Sequence, residues 1–312
     1  MIDIIEGEVS RRFRFAETLD RHLVNRRAVA EVFLTDFLPV AANEWVAGAQ
    51  LPLAHAYMSD HTARRDFYDV LLILECCRQA GTYGGYTQFG SPLDTINMVS
   101  SLEIRIADTE ALRVGERPGE LVIHVRAVDV VRTGGRTKSA TPEMTITLDG
   151  VHVGTASIPV SLASPKLFKA LRHRMRQGPP ALTSSIVLPE SAPVLPRLVC
   201  RARPENVLIA GAVNDEMSAR AELHLRPDSL NILDHEYDHI PAMALADASI
   251  QLMTWHMGAE EQMVTGLSAS FERFTEVDAP VLLEGRRDRA GDYLVTFEQD
   301  HRRIGRIALS TV

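Results

Sequence analysis

The apolar pattern of this chain is written twice, and an internal repeat limits the fold more than any other property of a sequence. In the first half, Glu31 to Asp36 (EVFLTD) precedes alternating Trp45, Ala47, Ala49 and Leu51. An apolar stretch containing Leu74, Glu75, Arg78 and Gln79 follows, and then Met98 and Val99. In the second half, Asn206 to Ala210 (NVLIA) precedes alternating Ala221, Leu223 and Leu225. The segment Ala246, Asp247, Ile250 and Gln251 follows, and then Met263 and Val264. Strand patterns close each half. Leu121, Ile123 and Val125 alternate, and Met144, Ile146 and Leu148 run through Asp149 and Gly150 into Val151 and Val153, a hairpin with a two-residue turn. Tyr293, Val295 and Phe297 alternate near the C-terminus. Each half therefore reads as two strands, one helix and several antiparallel strands, an α+β arrangement with the helix packed on a single sheet.

The helices carry the second constraint. Val70 to Ala80 is apolar on every side except at Glu75, Arg78 and Gln79. A helix hydrophobic all round is an enclosed one. Spacings of three and four residues put the three polar groups on one face, within mutual reach. Two charges in an otherwise apolar helix risk several kcal/mol of desolvation, while a helix-surface pair returns only ~0.2–0.5 kcal/mol. A purely stabilising role is therefore poorly motivated. Glu75 reads as a carboxylate poised between desolvation, which raises its pKa, and Arg78, which lowers it.

The chain has 312 residues, 46% hydrophobic and 24% charged, with a formal net charge of -8. That composition excludes a mainly disordered chain and a global basic field for nucleic acid. The start, Met1 to Phe15, mixes acidic and basic residues and lacks a secretory pattern. The longest dense apolar run, Val70 to Leu74, is far short of a membrane span. Cys76, Cys77 and Cys200 fit neither a zinc site nor a disulfide framework, so a reducing cytoplasm is expected, with no metal. Five prolines between Gln177 and Val199 mark a connector. The expected domains are 1–177, a proline-rich linker 178–199, and 200–312.

Four strings carry a family resemblance: Ala28 to Asp36, Ala49 to Pro52 with His55, Leu74-Glu75-x-x-Arg78-Gln79-Ala80, and Asp234-His235-x-x-Asp238-His239-x-Pro241-x-Met243. Through both halves the chain resembles the A-factor biosynthesis family, the γ-butyrolactone autoregulator synthases. The string Ile240 to Gln251 is also similar to the helix start of hotdog dehydratases. The resemblance implies a tandem (double) hotdog fold, each helix wrapped by its antiparallel sheet, the two halves forming an intramolecular pseudo-dimer. It implies an acyltransferase that moves a β-ketoacyl group from an acyl carrier protein or coenzyme A thioester to the hydroxyl of dihydroxyacetone phosphate. Another hotdog thioester enzyme, a thioesterase or dehydratase, and a non-catalytic acyl-binding protein are the alternatives. No cofactor, nucleic acid or membrane partner is implied, and homo-oligomerisation is left open. The family usually carries Arg three positions after the acidic residue in both halves, where the second half here has Ile250. A His that commonly precedes the first strand is Asn25 here.

The resemblance assigns catalysis to Glu75, Arg78 and Asp247, and substrate binding to His55, Gln79, His239 and Gln251. Acyl transfer to an alcohol needs a base and oxyanion donors. Glu75 is the expected base, and Arg78 a cation for the acceptor phosphate or the β-keto oxygen. Asp247 lacks a cation on its own helix and reads equally as catalytic or as a buried hydrogen-bonded group. Arg64 and Arg65 are rival phosphate ligands or a solvated pair. Either cysteine beside Glu75 serves as a nucleophile only in an electropositive, accessible setting. Lys166, Lys169, Arg172, Arg174 and Arg176 form a basic run that reads either as a solvated helix end or as a patch steering an acidic carrier protein.

Overall fold

The computed structural model describes residues 12–215, 217–258 and 263–312, so most of the mixed-charge start lies outside the described residues. The chain divides into two compact units, Met1–Leu53 with Phe67–Leu171, and Ala54–Asp66 with Arg172–Val312.

The first unit runs β1 (Leu34–Ala41), β2 (Glu44–Leu51), helix α1 (Val70–Thr87), β3 (Ile96–Val99), β4 (Ser101–Ile106), β5 (Gly119–Thr133), β6 (Arg136–Leu148), β7 (Val151–Ser157) and β8 (Val160–Ala163). Helix α2 (Pro165–Arg176) follows, and the unit boundary falls inside it. The strands order as β1-β2-β5-β6-β7-β4, with β8 pairing β3 and β6, and every pairing is antiparallel. The second unit runs β9 (Ile209–Asn214), β10 (Ala219–Leu223), α3 (Ala242–Met257), β11 (Val264–Phe271), β12 (Leu282–Arg287), β13 (Tyr293–Gln299) and β14 (Arg302–Thr311). Its order, β9-β10-β12-β13-β14-β11, matches the first strand for strand. The repeat seen in the sequence is a repeat of topology.

Asp69 caps α1, its side chain accepting from the Leu71 amide at 2.8 Å. Five consecutive side chains, Val70 to Leu74, are all buried, as enclosure requires. Each contributes about 1.5–3 kcal/mol by leaving water. Helix α3 is entered through Pro241 and ends at Gly258, whose φ of 62° closes the last turn in a left-handed conformation. The β6–β7 turn has positive φ at both Asp149 (49°) and Gly150 (83°), the conformation whose twist matches paired strands.

Two expected boundaries shift. The stretch 178–199 is not a free linker: Thr183 N donates to Tyr237 O at 2.9 Å, Val187 N to Val277 O at 3.1 Å and Val194 N to Ile209 O at 3.1 Å. Its prolines remove donors, and the amides left over tie it down as an ordered strap. The segment Ala54–Asp66, expected in the first half, belongs to the second unit, where Thr62 N donates to Cys200 O, Ala202 N to Asp60 O, and Asn206 Nδ2 to Asp60 Oδ2. Among the described residues no helix is long and apolar enough to cross a membrane.

Trp45 locks the first helix to its sheet. The indole is fully buried and its Nε1 donates to Ala80 O at 3.1 Å. The close approach needs Gly84, because a Cβ there would lie 2.3 Å from two indole carbons. Gly84→Ala should therefore destabilise the protein by about 1–3 kcal/mol through overpacking, against the ~1 kcal/mol that helix propensity would return. A melting temperature equal to or above wild type would show that the indole moves aside at little cost.

Candidate active site

The polar side chains of α1 form a charged centre inside the first unit. Glu75 is fully buried, and its Oε1 accepts from Arg26 (Nε at 3.1 Å, Nη2 at 2.6 Å), from Arg78 Nη2 at 2.8 Å and from Gln79 Nε2 at 2.7 Å. Its Oε2 accepts from Arg78 Nε at 2.8 Å. Burial alone pushes the Glu75 carboxyl up, but Arg26 and then Arg78 outweigh it and hold the pKa at about 2. In this setting the carboxylate is held ionised and its oxygens are taken by donors, an arrangement that orients two guanidiniums. The Arg26 side chain is 8% exposed and that of Arg78 is 26% exposed, so Arg78 is the more accessible cation. Glu75 thus faces two guanidiniums, one from outside the helix and one from the helix itself.

The equivalent centre of the second unit is built on the same plan with a different balance. Asp247 is fully buried and accepts from Arg201 Nη2 at 2.7 Å, from the Tyr57 hydroxyl at 2.5 Å and from Gln251 Nε2 at 3.1 Å. The Arg201 guanidinium also donates to Tyr57 O and lies 5.2 Å from the Tyr57 ring centroid. The absence of a helix-borne cation at Ile250 is therefore answered from outside the helix, by one arginine and one neutral hydroxyl.

The structure separates the expected substrate ligands. Gln79 and Gln251 are pins between helix and strand: Gln79 donates to Glu31 O at 2.7 Å and accepts from Phe33 N at 3.0 Å, and Gln251 donates to Asn206 O at 2.9 Å and accepts from Leu208 N at 2.8 Å. Both amides hold backbone at each end. His55 precedes a turn, and its Nδ1 accepts from the amides of Tyr57 and Met58 at 3.2 and 3.1 Å. It shapes the segment that carries Tyr57. His239 is different. Its Nδ1 meets Asp238 Oδ1 at 2.6 Å, and Asp238 is held in turn by the buried Arg172, whose Nε donates to Oδ2 at 3.0 Å and whose Nη2 donates to the Asp238 carbonyl at 2.7 Å. Burial pushes the Asp238 carboxyl up, but His239 and Arg172 outweigh it and hold the pKa below the usual value. The imidazole packs edge-on against Phe274 and is 30% exposed, so Nε2 is the nitrogen left for chemistry.

The remaining candidates are not brought to these centres. Cys76 and Cys77 are both fully buried, and burial raises both thiols, with Glu75 adding to the rise, so neither is an activated thiolate. Arg65 is exposed and donates to His61 O, and Arg64 sits at a left-handed position with φ 50°. Asn25, where the family usually has His, accepts from the Tyr86 hydroxyl at 2.7 Å.

Three side chains of these centres escaped the sequence reading: Arg26, Arg201 and Tyr57. The signal for two of them was present. Laying Val32 on Val207 places Leu23-Val24-Asn25-Arg26 on Leu198-Val199-Cys200-Arg201. In both copies a 3-10 turn ends at a left-handed residue, Asn25 with φ 55° and Cys200 with φ 53°, and the next residue is the arginine. Nothing local marks Tyr57, which reaches Asp247 from 190 positions away in the chain.

Two copies of one antiparallel sheet, each around a buried helix carrying an acid and, four residues on, a glutamine, define a double hotdog protein. The family model for the A-factor biosynthesis hotdog domain matches residues 9–164 and 182–312. The chain belongs to that family. It is 29% identical over 277 residues to a 2-oxo-3-(phosphooxy)propyl 3-oxoalkanoate synthase of Streptomyces virginiae, covering 88% of this chain and 89% of the relative. It is 24% identical over 295 residues to a synthase of the same name from Streptomyces griseus, covering 93% of each. Among solved structures, the dehydratase domain from the CurK module of curacin polyketide synthase superposes with a TM-score of 0.52 at 14% identity, over 90% of this chain and 96% of that one. That likeness bears on the fold alone.

Proposed function

We propose that the protein is an acyltransferase of γ-butyrolactone or butenolide signalling-molecule biosynthesis. It transfers a β-ketoacyl group from an acyl carrier protein or coenzyme A thioester to the hydroxyl of dihydroxyacetone phosphate. The name of the two relatives describes that ester, a 3-oxoalkanoate joined to a phosphooxy-oxopropyl group. The observation that carries the reading here is the guanidinium of Arg78 on α1, oriented by Glu75 and 26% exposed. Such a cation suits the acceptor phosphate or the negative charge that develops on a thioester oxygen. In this reading the acceptor hydroxyl attacks the thioester carbonyl, the C–S bond breaks, and the sulfur leaves as thiolate. The hydroxyl proton passes to the departing sulfur, so the donor is released as a thiol. Asp247 and Glu75 act by positioning the groups around them.

Mass spectrometry of a reaction with a β-ketoacyl thioester and dihydroxyacetone phosphate tests the proposal. The expected product is the phosphorylated ester together with its dehydrated butenolide. A free β-keto acid would make the protein a thioesterase, an enoyl thioester from a β-hydroxyacyl donor would make it a dehydratase, and binding without turnover would make it an acyl-binding protein.

A further inference from the structure

Helix α2 divides its basic residues between two tasks. Arg172 is fully buried, pairing with Asp238 at 3.0 Å and Glu276 at 2.8 Å, and Arg176 pairs with Glu276 at 2.8 Å and with Asp278. These two arginines anchor the helix. Lys166, Lys169, His173 and Arg174 point the other way: all four are exposed, and they make no ion pair or hydrogen bond among the described residues. Helical spacing puts Lys166, Lys169, Ala170 and His173 on one stripe, with Arg174 and Leu167 beside it. Leu167 is 58% exposed. The outward face thus joins three fixed cations, a histidine and an apolar patch, with no acidic residue anywhere in the helix, on a chain whose net charge is -8.

An acidic chain does not build such a face for its own stability, because nearby carboxylates would then be expected to neutralise it. From Lys166 to Arg174 the face spans about 12 Å of helix axis, the scale of two turns of a partner helix rather than of an extended polyanion. The overall negative charge disfavours a membrane surface or nucleic acid, and leaves a local attraction for a small acidic protein. We propose that this face of α2 docks an acidic, helical carrier protein that bears the acyl thioester. The inference rests on the acyl-transfer reading for the identity of the carrier, and on the unpaired cations for the place of docking. Leu167 supplies apolar contact at one edge of the face, and the cations steer the approach.

The test is the triple variant K166E/K169E/R174E, which leaves the anchoring arginines and both buried centres untouched. Binding of a bacterial holo acyl carrier protein is measured by calorimetry at low salt, beside turnover of a β-ketoacyl-pantetheine donor that has no protein to dock. The wild type should bind the carrier, with affinity falling as salt rises. The variant should bind at least about 10-fold more weakly, with unchanged melting temperature and unchanged turnover of the pantetheine donor. Equal carrier binding by both proteins, or none by the wild type, overturns the docking site. So does retention of the wild type, but not the variant, on anionic phosphatidylglycerol vesicles without carrier binding, which would make the face a membrane contact. Failure of the wild type to turn over the pantetheine donor counts against the acyl-transfer reading instead, and the binding comparison still decides the surface.

Discussion

Glu75→Gln should unfold the first unit more easily by about 3–5 kcal/mol, the usual cost of removing one partner of a buried ion pair. The amide keeps the size of the side chain and cannot neutralise Arg26, whose side chain is 8% exposed, or the inner face of Arg78. The same centre sets an acid limit on the wild type. Because the folded pKa of Glu75 is lowered from 4.5 to about 2, the stability it contributes is fully present above pH 4.5 and is lost as pH falls through 2. The amount is on the order of 3 kcal/mol. Urea midpoints measured between pH 6 and pH 2.5 should therefore fall more steeply for the wild type than for the variant, whose own deficit is already present at neutral pH. A variant with wild-type stability at pH 7 would mean that the buried cations find other counter-charges, and that Glu75 is available for chemistry after all.

Arg78→Ala should be the most damaging change to turnover among residues that leave the fold standing. Glu75 retains Arg26 and Gln79 as donors, so the buried carboxylate stays paired. The stability cost should therefore stay within about 1–3 kcal/mol. The rate on β-ketoacyl thioester and dihydroxyacetone phosphate should fall by roughly 10²–10³-fold if this guanidinium meets developing charge. Kinetics distinguish its two partners. A loss confined to the acceptor KM marks a phosphate ligand, and a loss in kcat marks a donor to the thioester or β-keto oxygen. Asp247→Asn, corrected for the fraction folded, should cost less than about tenfold, because the cation it pairs with is only 3% exposed. A deader Asp247→Asn enzyme with normal melting would place the chemistry on α3.

Much of the fold was legible because burial and strand spacing write directly into residue order. The repeat, the enclosed helices and the Asp149-Gly150 hairpin all follow from local pattern, and the structure has each of them. The buried centres were half legible. Glu75, Arg78 and Gln79 share one helix, and i to i+4 geometry is enough to bring them together. Arg26 and Arg201 come from turns before the first strand of each half, and only a full alignment of the repeat marks them. Composition misled twice. Prolines between 178 and 199 suggested freedom, yet their scarcity of donors is compatible with a strap held by the few amides left. Glu75 looked poised because only one of its two arginines was in view, and the second turns a near balance into a strong downward pull.

The two αL turns, with their arginines, acids and glutamine pins, also bear on how such a protein changes over generations. In a dimer of identical subunits, one stretch of gene encodes both centres, and every substitution strikes them together. A tandem chain removes that constraint. Here the scaffold is the same in both copies, down to the left-handed residue before each arginine, while a helix-borne cation stands at position 78 and an isoleucine at position 250. A tandem chain lets each copy change by itself: one centre has a cation on its helix, and the other draws its cation only from the turn before the first strand.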